Sequence, residues 1–215
     1  MPKLTFSGGV HFDRDGKAKT RHEAIRGFVP DTVTIPMCMH LGRPSKPCVK
    51  VGDTVKIGQL IGEPDGFLGV PVHASVSGEV TGVDYKQQLA AEPVLCVTIK
   101  NDKRNEWAEN LKGFGDVEQA DPASIIPAIK DAGISGMGGA AFPTHIKLTI
   151  PEGKSCDTII LNGAECETHL TCDHRLMLES PERILAGLRA CMRALNVQRG
   201  VIAVEDNKPD AVQTM

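Results

Sequence analysis

Aromatic residues are scarce in this chain: one Trp, one Tyr and six Phe among 215 residues. So few rings argue against a surface on which the bases of a nucleic-acid strand could stack. An excess of positive charge is missing as well. Lys and Arg number 24 against 27 Asp and Glu, a formal charge of −3, so neither nucleic acid nor an anionic membrane surface is expected as a partner. No apolar run approaches the ~18 residues of a transmembrane helix. The N-terminus has no basic stretch leading into an apolar one, so no signal peptide is expected. Seven cysteines are present, and none is spaced C-x-x-C. An odd, scattered set does not suit a disulfide framework, and the reading is a cytoplasmic chain with reduced thiols.

What is there changes in character near residue 100. From Thr32 to Lys100 the chain is rich in Val, Ile, Gly and Pro, with short alternating runs such as "DTVTIPM", "PCVKVGDTVKIGQLIGEPDG", "PVHASVSGEVTGVDY" and "EPVLCVTIK". Short strands punctuated by Gly-Asp and Ser-Gly predict a small β barrel or sandwich over residues 32–100. The stretch "VKVGDTVKIGQLIG" followed by "PVHASVSGEVTGV" looks like a biotinyl or lipoyl carrier domain. The turn that would present a modified lysine reads "PDGFLGV" and has none, so a docking role is expected there instead. Residues 1–31 form an N-terminal segment. Residues 101–120 are polar and charged and read as a linker, with Trp107 as a packing residue at the boundary.

From Asp121 the pattern is α/β. Asp121 and Pro122 predict an N-cap and first helical position, with Gly133 closing that helix. "DTIIL" and "GVIAV" read as strands buried on both faces. Between them, Ser180 and Pro181 open an amphipathic helix whose stripe is Ile184, Leu185, Leu188, Cys191, Met192 and Leu195. Strand, helix and strand predict a Rossmann-like parallel βαβ unit that looks truncated at the C-terminus. A further helix is expected to begin in "NKPDAVQTM".

Three constellations carry chemistry. The first, "GISGMGGAAFPTHIKL", puts four glycines into seven residues. Gly136, Gly138 and Gly139 can adopt positive φ and turn their N–H groups into one concavity, leading into a helix that starts at Pro143. Lys147 could then reach a phosphate. Close packing is the plainer alternative, and neither the Rossmann nor the P-loop fingerprint is matched. The second, "NGAECETHLTCDHR", gathers Asn162, Glu165, Glu167, His169, Asp173 and His174 at a strand end, where open α/β sheets bind ligands. Glu165 and Glu167 could accept hydrogen bonds from ribose hydroxyls or amides, and His169 and His174 are expected in a solvated loop. The third is Cys166, His169, Cys172 and His174. Their spacing does not match structural zinc, nor is there a cluster-binding cysteine run, so no metal is expected on this chain.

Taken together, the barrel segment, "GISGMGGAAFPTHIKL", "NGAECETHLTCDHRLMLESPE" and "VEDNKPDA" resemble, in that order, the N-terminal part of the RnfC subunit of the Rnf electron transport complex. That family is related to the NADH- and FMN-binding subunit of respiratory complex I. The resemblance implies FMN held by Gly136, Gly138, Gly139 and Lys147, with Asn162 and Glu165 lining the flavin. It implies NADH near Glu167 and Phe142, Phe142 as a stacking surface, with hydride moving from nicotinamide to flavin and no catalytic side chain needed. It further implies an FMN- and NADH-binding domain over residues 121–215, and two [4Fe–4S] clusters in a C-terminal domain beyond these residues. The implied partners are the other Rnf subunits, integral membrane subunits among them, with ferredoxin reached indirectly through the complex. The implied place is the cytoplasmic face of the cell membrane, held peripherally. Departures from the complex I relative are Met137, where it has Arg, and Ala141, where it has Gly. The alternative within the same complex is an assembly module that binds no cofactor by itself.

Overall fold

The computed structural model describes residues 15–88, 92–109, 111, 113 and 115–215. They fall into two compact units. The larger is Gly27–Ile159 with Ala186–Gly200. The smaller is Ile160–Leu185 and Val201–Met215, joined by the described residues up to Arg26.

The alternating runs do form a strand-rich region in the larger unit, made of β1 (Thr32–Pro36), β2 (Lys46–Pro47), β3 (Thr54–Val55), β4 (Leu60–Glu63), β5 (Val72–His73), β6 (Gly78–Lys86) and β7 (Val94–Asn101); the expected strand before Gly52-Asp53 is corrected, because residues 48–51 form none. They form two antiparallel sheets, ordered β1-β7-β6-β3 and β2-β4-β5. The long β6–β7 pair anchors the first sheet, with Val80 opposite Ile99 and Val83 opposite Val97, and its register shifts between Val80 and Gly82. Strand alternation turns one face inward, and Ile35, Met37, Val55, Ile61, Val72, Val80, Val97 and Ile99 meet there as the core. Each large side chain so buried contributes about 1.5–3 kcal/mol. Gly78, with φ +149°, opens β6 at a spot where a Cβ would collide with the Lys100 carbonyl, so only glycine fits. Trp107 differs from expectation. Its side chain is 64% exposed, and what packs is its backbone neighbourhood, as Ile57 donates to Glu106 O at 2.8 Å and accepts from Ala108 N at 2.9 Å.

Also in this unit are α1 (Pro122–Asp131) and α2 (Thr144–Lys147). The Asp121 carboxylate caps α1 by accepting from Ala123 N, with Pro122 in the first turn, as the sequence predicts. At the far end Gly133 has φ +69°, and a Cβ there would strike the Pro71 carbonyl.

Two further strands, β8 (Thr158–Gly163) and β9 (Arg199–Val204), pair in a two-stranded sheet. The connection between them carries α3 (Cys172–Glu179) and α4 (Pro181–Leu195), and α5 (Pro209–Thr214) follows β9. The expected stripe on α4 is half-buried throughout and fully buried at Leu188. Burial of β8 on both faces is corrected: Ile160 is 66% exposed, because a sheet of two strands covers little of its own surface. Helix α3 is also a correction, since its residues read as a polar loop. No helix among the described residues is long and apolar enough to cross a membrane.

Two predictions concern the larger unit. Ile99→Ala should cost about 2–5 kcal/mol in urea denaturation, the usual penalty of a cavity in a tight core. Tyr85→Ala, at an exposed position of the same β6–β7 pair, should stay within about 0.5 kcal/mol. The second concerns pH. Burial pushes the imidazoles of His40, His73 and His145 below the ordinary histidine range, against smaller opposing effects of the Arg43 backbone at His40 and Asp131 at His73, and reinforced by Lys130 at His145. A depressed folded-state value means that the unfolded chain takes up protons first. The stability these groups contribute is present above the unfolded value of about 6.5 and is lost as pH falls through the folded values. Melting temperature should therefore drop between pH 7.5 and 5.5; a flat or rising profile would contradict this.

Candidate cofactor-binding site

Between α1 and α2 the glycine segment folds back on itself. Gly136 N donates to Phe142 O at 2.9 Å and Thr144 N to Ile134 O at 3.0 Å, which closes residues 137–141 into a loop. Leu41 N, from the strand-rich part of the same unit, donates to Ala141 O at 3.0 Å. At the loop's tip Met137 is 99% exposed, and added Cβ atoms on Gly138 and Gly139 would meet nothing within 4 Å. Among the described residues, the amides of Met137, Gly138, Gly139 and Ala140 donate to no protein group.

Lys147 stands over this loop. A Cβ on Gly136 would lie 2.5 Å from the Lys147 ammonium, so glycine at this position is what lets the ammonium settle against the backbone. The lysine is exposed, and its ammonium makes no ion pair or hydrogen bond among the described residues. Phe142 is half-buried at the loop's exit. Two expectations are corrected. Positive φ falls at Gly133 and Ala141, not at Gly136, Gly138 or Gly139, because hydrogen bonding across the loop's base already sets the turn. Pro143 is the N-cap of α2, not its first residue, and α2 is a single turn of four residues. So short a helix has little dipole to offer, and attraction for an anion rests on Lys147 and the free amides.

The strand-end loop, in the smaller unit, has a different character. Asn162 is exposed at the end of β8, and its Oδ1 accepts from Ala164 N at 3.1 Å. Glu165 has φ +55°, and its side chain is 1% exposed. One carboxylate oxygen accepts from Asp173 N at 2.6 Å and from His174 N at 3.4 Å, so it caps α3 from a distance. The other lies 3.5 Å from Lys17 Nζ. Glu167 is exposed to solvent. Asp173 is held above the usual carboxylate range by desolvation first, then by Glu165 and Glu167.

Histidine 169 is exposed, as expected, whereas His174 is 1% exposed and its Nε2 lies 2.8 Å from Asp210 Oδ1. Burial on the inner side of α3 accounts for the difference. The set Cys166, His169, Cys172 and His174 does not come together. Ligand atoms of Glu165, Cys172 and Asp173 do lie within 4.8 Å of one another, but Glu165 is committed to capping α3. Burial, then Asp173 and Glu165, push the Cys172 thiol up. Sequence reasoning missed two buried lysines, Lys17 and Lys208, whose ammonium groups touch this loop. Their partners are far away in the chain, so no local pattern announces them.

Comparison with known proteins bears on both loops. Residues 129–215 match the family model described as the Nuo51 FMN-binding domain, and residues 4–104 match the RnfC barrel sandwich hybrid domain. The chain is 44% identical, over 98% of its length, to 48% of the C subunit of the Na(+)-translocating ferredoxin:NAD(+) oxidoreductase complex of Acetobacterium woodii. It is 40% identical, over 98% of its length, to 46% of the C subunit of the proton-translocating ferredoxin:NAD(+) oxidoreductase complex of Clostridium ljungdahlii. Over its whole length it is 37% identical to 42% of the C subunit of the ion-translocating oxidoreductase complex of Rhodobacter capsulatus. The chain thus spans about half the length of these relatives. With its N-terminal residues matching the RnfC barrel sandwich hybrid domain and its C-terminal residues the Nuo51 FMN-binding domain, this chain is homologous over nearly its whole length to the C subunits of Rnf-type complexes.

Proposed function

We propose that this chain supplies the FMN- and NADH-binding part of a membrane-associated, ion-translocating NADH:ferredoxin oxidoreductase of the Rnf type. The observation that carries the reading is the Lys147 ammonium, without an ionic partner among the described residues and seated against Gly136, in a segment whose Gly138 and Gly139 amides are open. These residues fit a phosphate. The ammonium supplies charge, the amides supply donors, and absent Cβ atoms let the oxygens come close.

In this reading Gly136, Gly138, Gly139 and Lys147 hold the phosphate of FMN. Asn162 and Glu165 shape the loop that meets the flavin ring. Phe142 offers a stacking face for the nicotinamide of NADH, and the exposed Glu167 accepts hydrogen bonds from its neutral ribose or carboxamide groups. The exposed carboxylates of Glu167 and Asp173 make the strand-end loop hospitable to neutral donors and hostile to phosphate, while the Glu165 carboxylate is already engaged by α3 and Lys17. A bound FMN would supply the hydride-accepting chemistry, and the side chains named here would position it and exclude water. The layout assigned is a barrel over residues 32–100, a linker over 101–120 and the cofactor domain over 121–215. The two [4Fe–4S] clusters belong to the part of the relatives that this chain does not span. Integral membrane subunits of the complex hold the chain peripherally at the cytoplasmic face, and ferredoxin is reached through them.

Quenching of flavin fluorescence on titration with FMN tests the site. A charge-assisted hydrogen bond is worth about 1.5–3 kcal/mol, so Lys147→Ala should weaken FMN about 10- to 100-fold while leaving the melting temperature unchanged. Gly136→Ala should act in the same direction by displacing the ammonium, and Gly138→Val should block the phosphate outright. Equal FMN affinity in all four proteins would contradict the assignment.

A further inference from the structure

Lysine is expensive to bury unless every proton of its ammonium is used. Here two lysines from opposite ends of the chain are buried against successive peptide groups of one loop. Lys208, 1% exposed, donates to Ala164 O at 2.7 Å, Glu205 Oε2 at 2.8 Å and Asn207 Oδ1 at 3.0 Å. Lys17 donates to Glu165 O at 2.6 Å and Leu170 O at 2.8 Å, and lies 3.5 Å from Glu165 Oε2. Each ammonium therefore has three acceptors, one of them the carbonyl of Ala164 or of Glu165.

Holding a carbonyl also aims an amide. Every peptide bond in the described residues is trans, so each N–H points opposite to the carbonyl of its own peptide group. With the Ala164 carbonyl on Lys208, the Glu165 N–H turns away from that lysine. With the Glu165 carbonyl on Lys17, the Cys166 N–H turns away from Lys17. Among the described residues neither amide donates to a protein group. Glu165 also sits at φ +55°, a conformation that a non-glycine residue keeps only when its surroundings hold it.

We propose that Lys17 and Lys208 are positioning residues, which fix the two peptide groups flanking Glu165 so that their amides present donors to an acceptor-rich heteroaromatic ring. Within the function proposed above, on which this inference rests, that ring is the isoalloxazine of FMN. The lysines do not touch the ligand. They act through the loop's backbone, and an apolar side chain of equal length would fill their space without holding the carbonyls.

The test uses the full chain with Lys208→Met, Lys208→Gln and Lys17→Met. Three readouts are taken: thermal melting, FMN affinity by fluorescence quenching, and visible circular dichroism of the bound flavin. The expected result is a weakening of FMN by tenfold or more in both Met variants, measured below the melting temperature of each, which the loss of a buried partner lowers. The flavin dichroism should change, and Lys208→Gln should recover part of both losses because its amide can still donate to Ala164 O. Should Lys208→Met not fold, Lys17→Met and Lys208→Gln carry the same comparison. Folded variants with wild-type affinity and wild-type dichroism would overturn the proposal and leave the lysines as ordinary structural braces. A wild-type chain that binds no FMN would instead refute the function on which the inference rests, and the inference with it.

Discussion

The carboxylate of Glu165 is the constraint around which the smaller unit is organised. A buried carboxylate is tolerated only when its oxygens are fully engaged, and here they take two amides of α3 and face the ammonium of Lys17. That single group starts a helix, fixes the loop that leaves β8 and ties in the N-terminal segment. Removing one partner from such a set usually costs about 3–5 kcal/mol, because the remaining charge is left buried and alone. Ala164, next in the chain, is held by Lys208, whose other partners Glu205 and Asn207 lie just after β9. Residues far apart in sequence thus converge on two peptide groups.

The two loops divide the electrostatic work. The glycine loop is neutral apart from Lys147 and leaves its amides free, which suits a phosphate. The strand-end loop is acidic, and desolvation together with Glu165 and Glu167 holds Asp173 above the usual carboxylate range; such a surface suits ring and ribose groups that donate hydrogen bonds.

Much of this was legible in the sequence. The strand-rich character of residues 32–100 follows from alternation and Gly-Asp turns, although the run over residues 48–51 forms no strand. The start of α1 follows from Asp121 and Pro122, and the stripe of α4 from its 3.6-residue period. Glycines and the lysine beside them pointed to the loop over which Lys147 stands. What stayed hidden depends on contacts between distant residues. Helix α3 is not capped by the side chain of its N-cap residue Thr171; Glu165, seven residues before its first residue Cys172, does the capping. His174 looks like a loop residue until Asp210 is brought beside it. Lys17 and Lys208 look like ordinary surface lysines because their acceptors are backbone carbonyls, which no side-chain pattern records. The positive φ expected at Gly136, Gly138 and Gly139 lies instead at Gly133 and Ala141, since cross-loop hydrogen bonds, not residue type, decide where the chain turns.

The central claim is that the Lys147 ammonium and the glycine loop recognise a flavin through its phosphate. The most direct measurement compares FMN with riboflavin, which has the same ring and ribityl chain but no phosphate, on the wild-type chain and on Lys147→Ala. The account predicts that FMN binds the wild type far more tightly than riboflavin does, and that Lys147→Ala closes most of that gap by weakening FMN alone. Equal affinity of the two flavins for the wild type, or a gap that Lys147→Ala leaves intact, would contradict it.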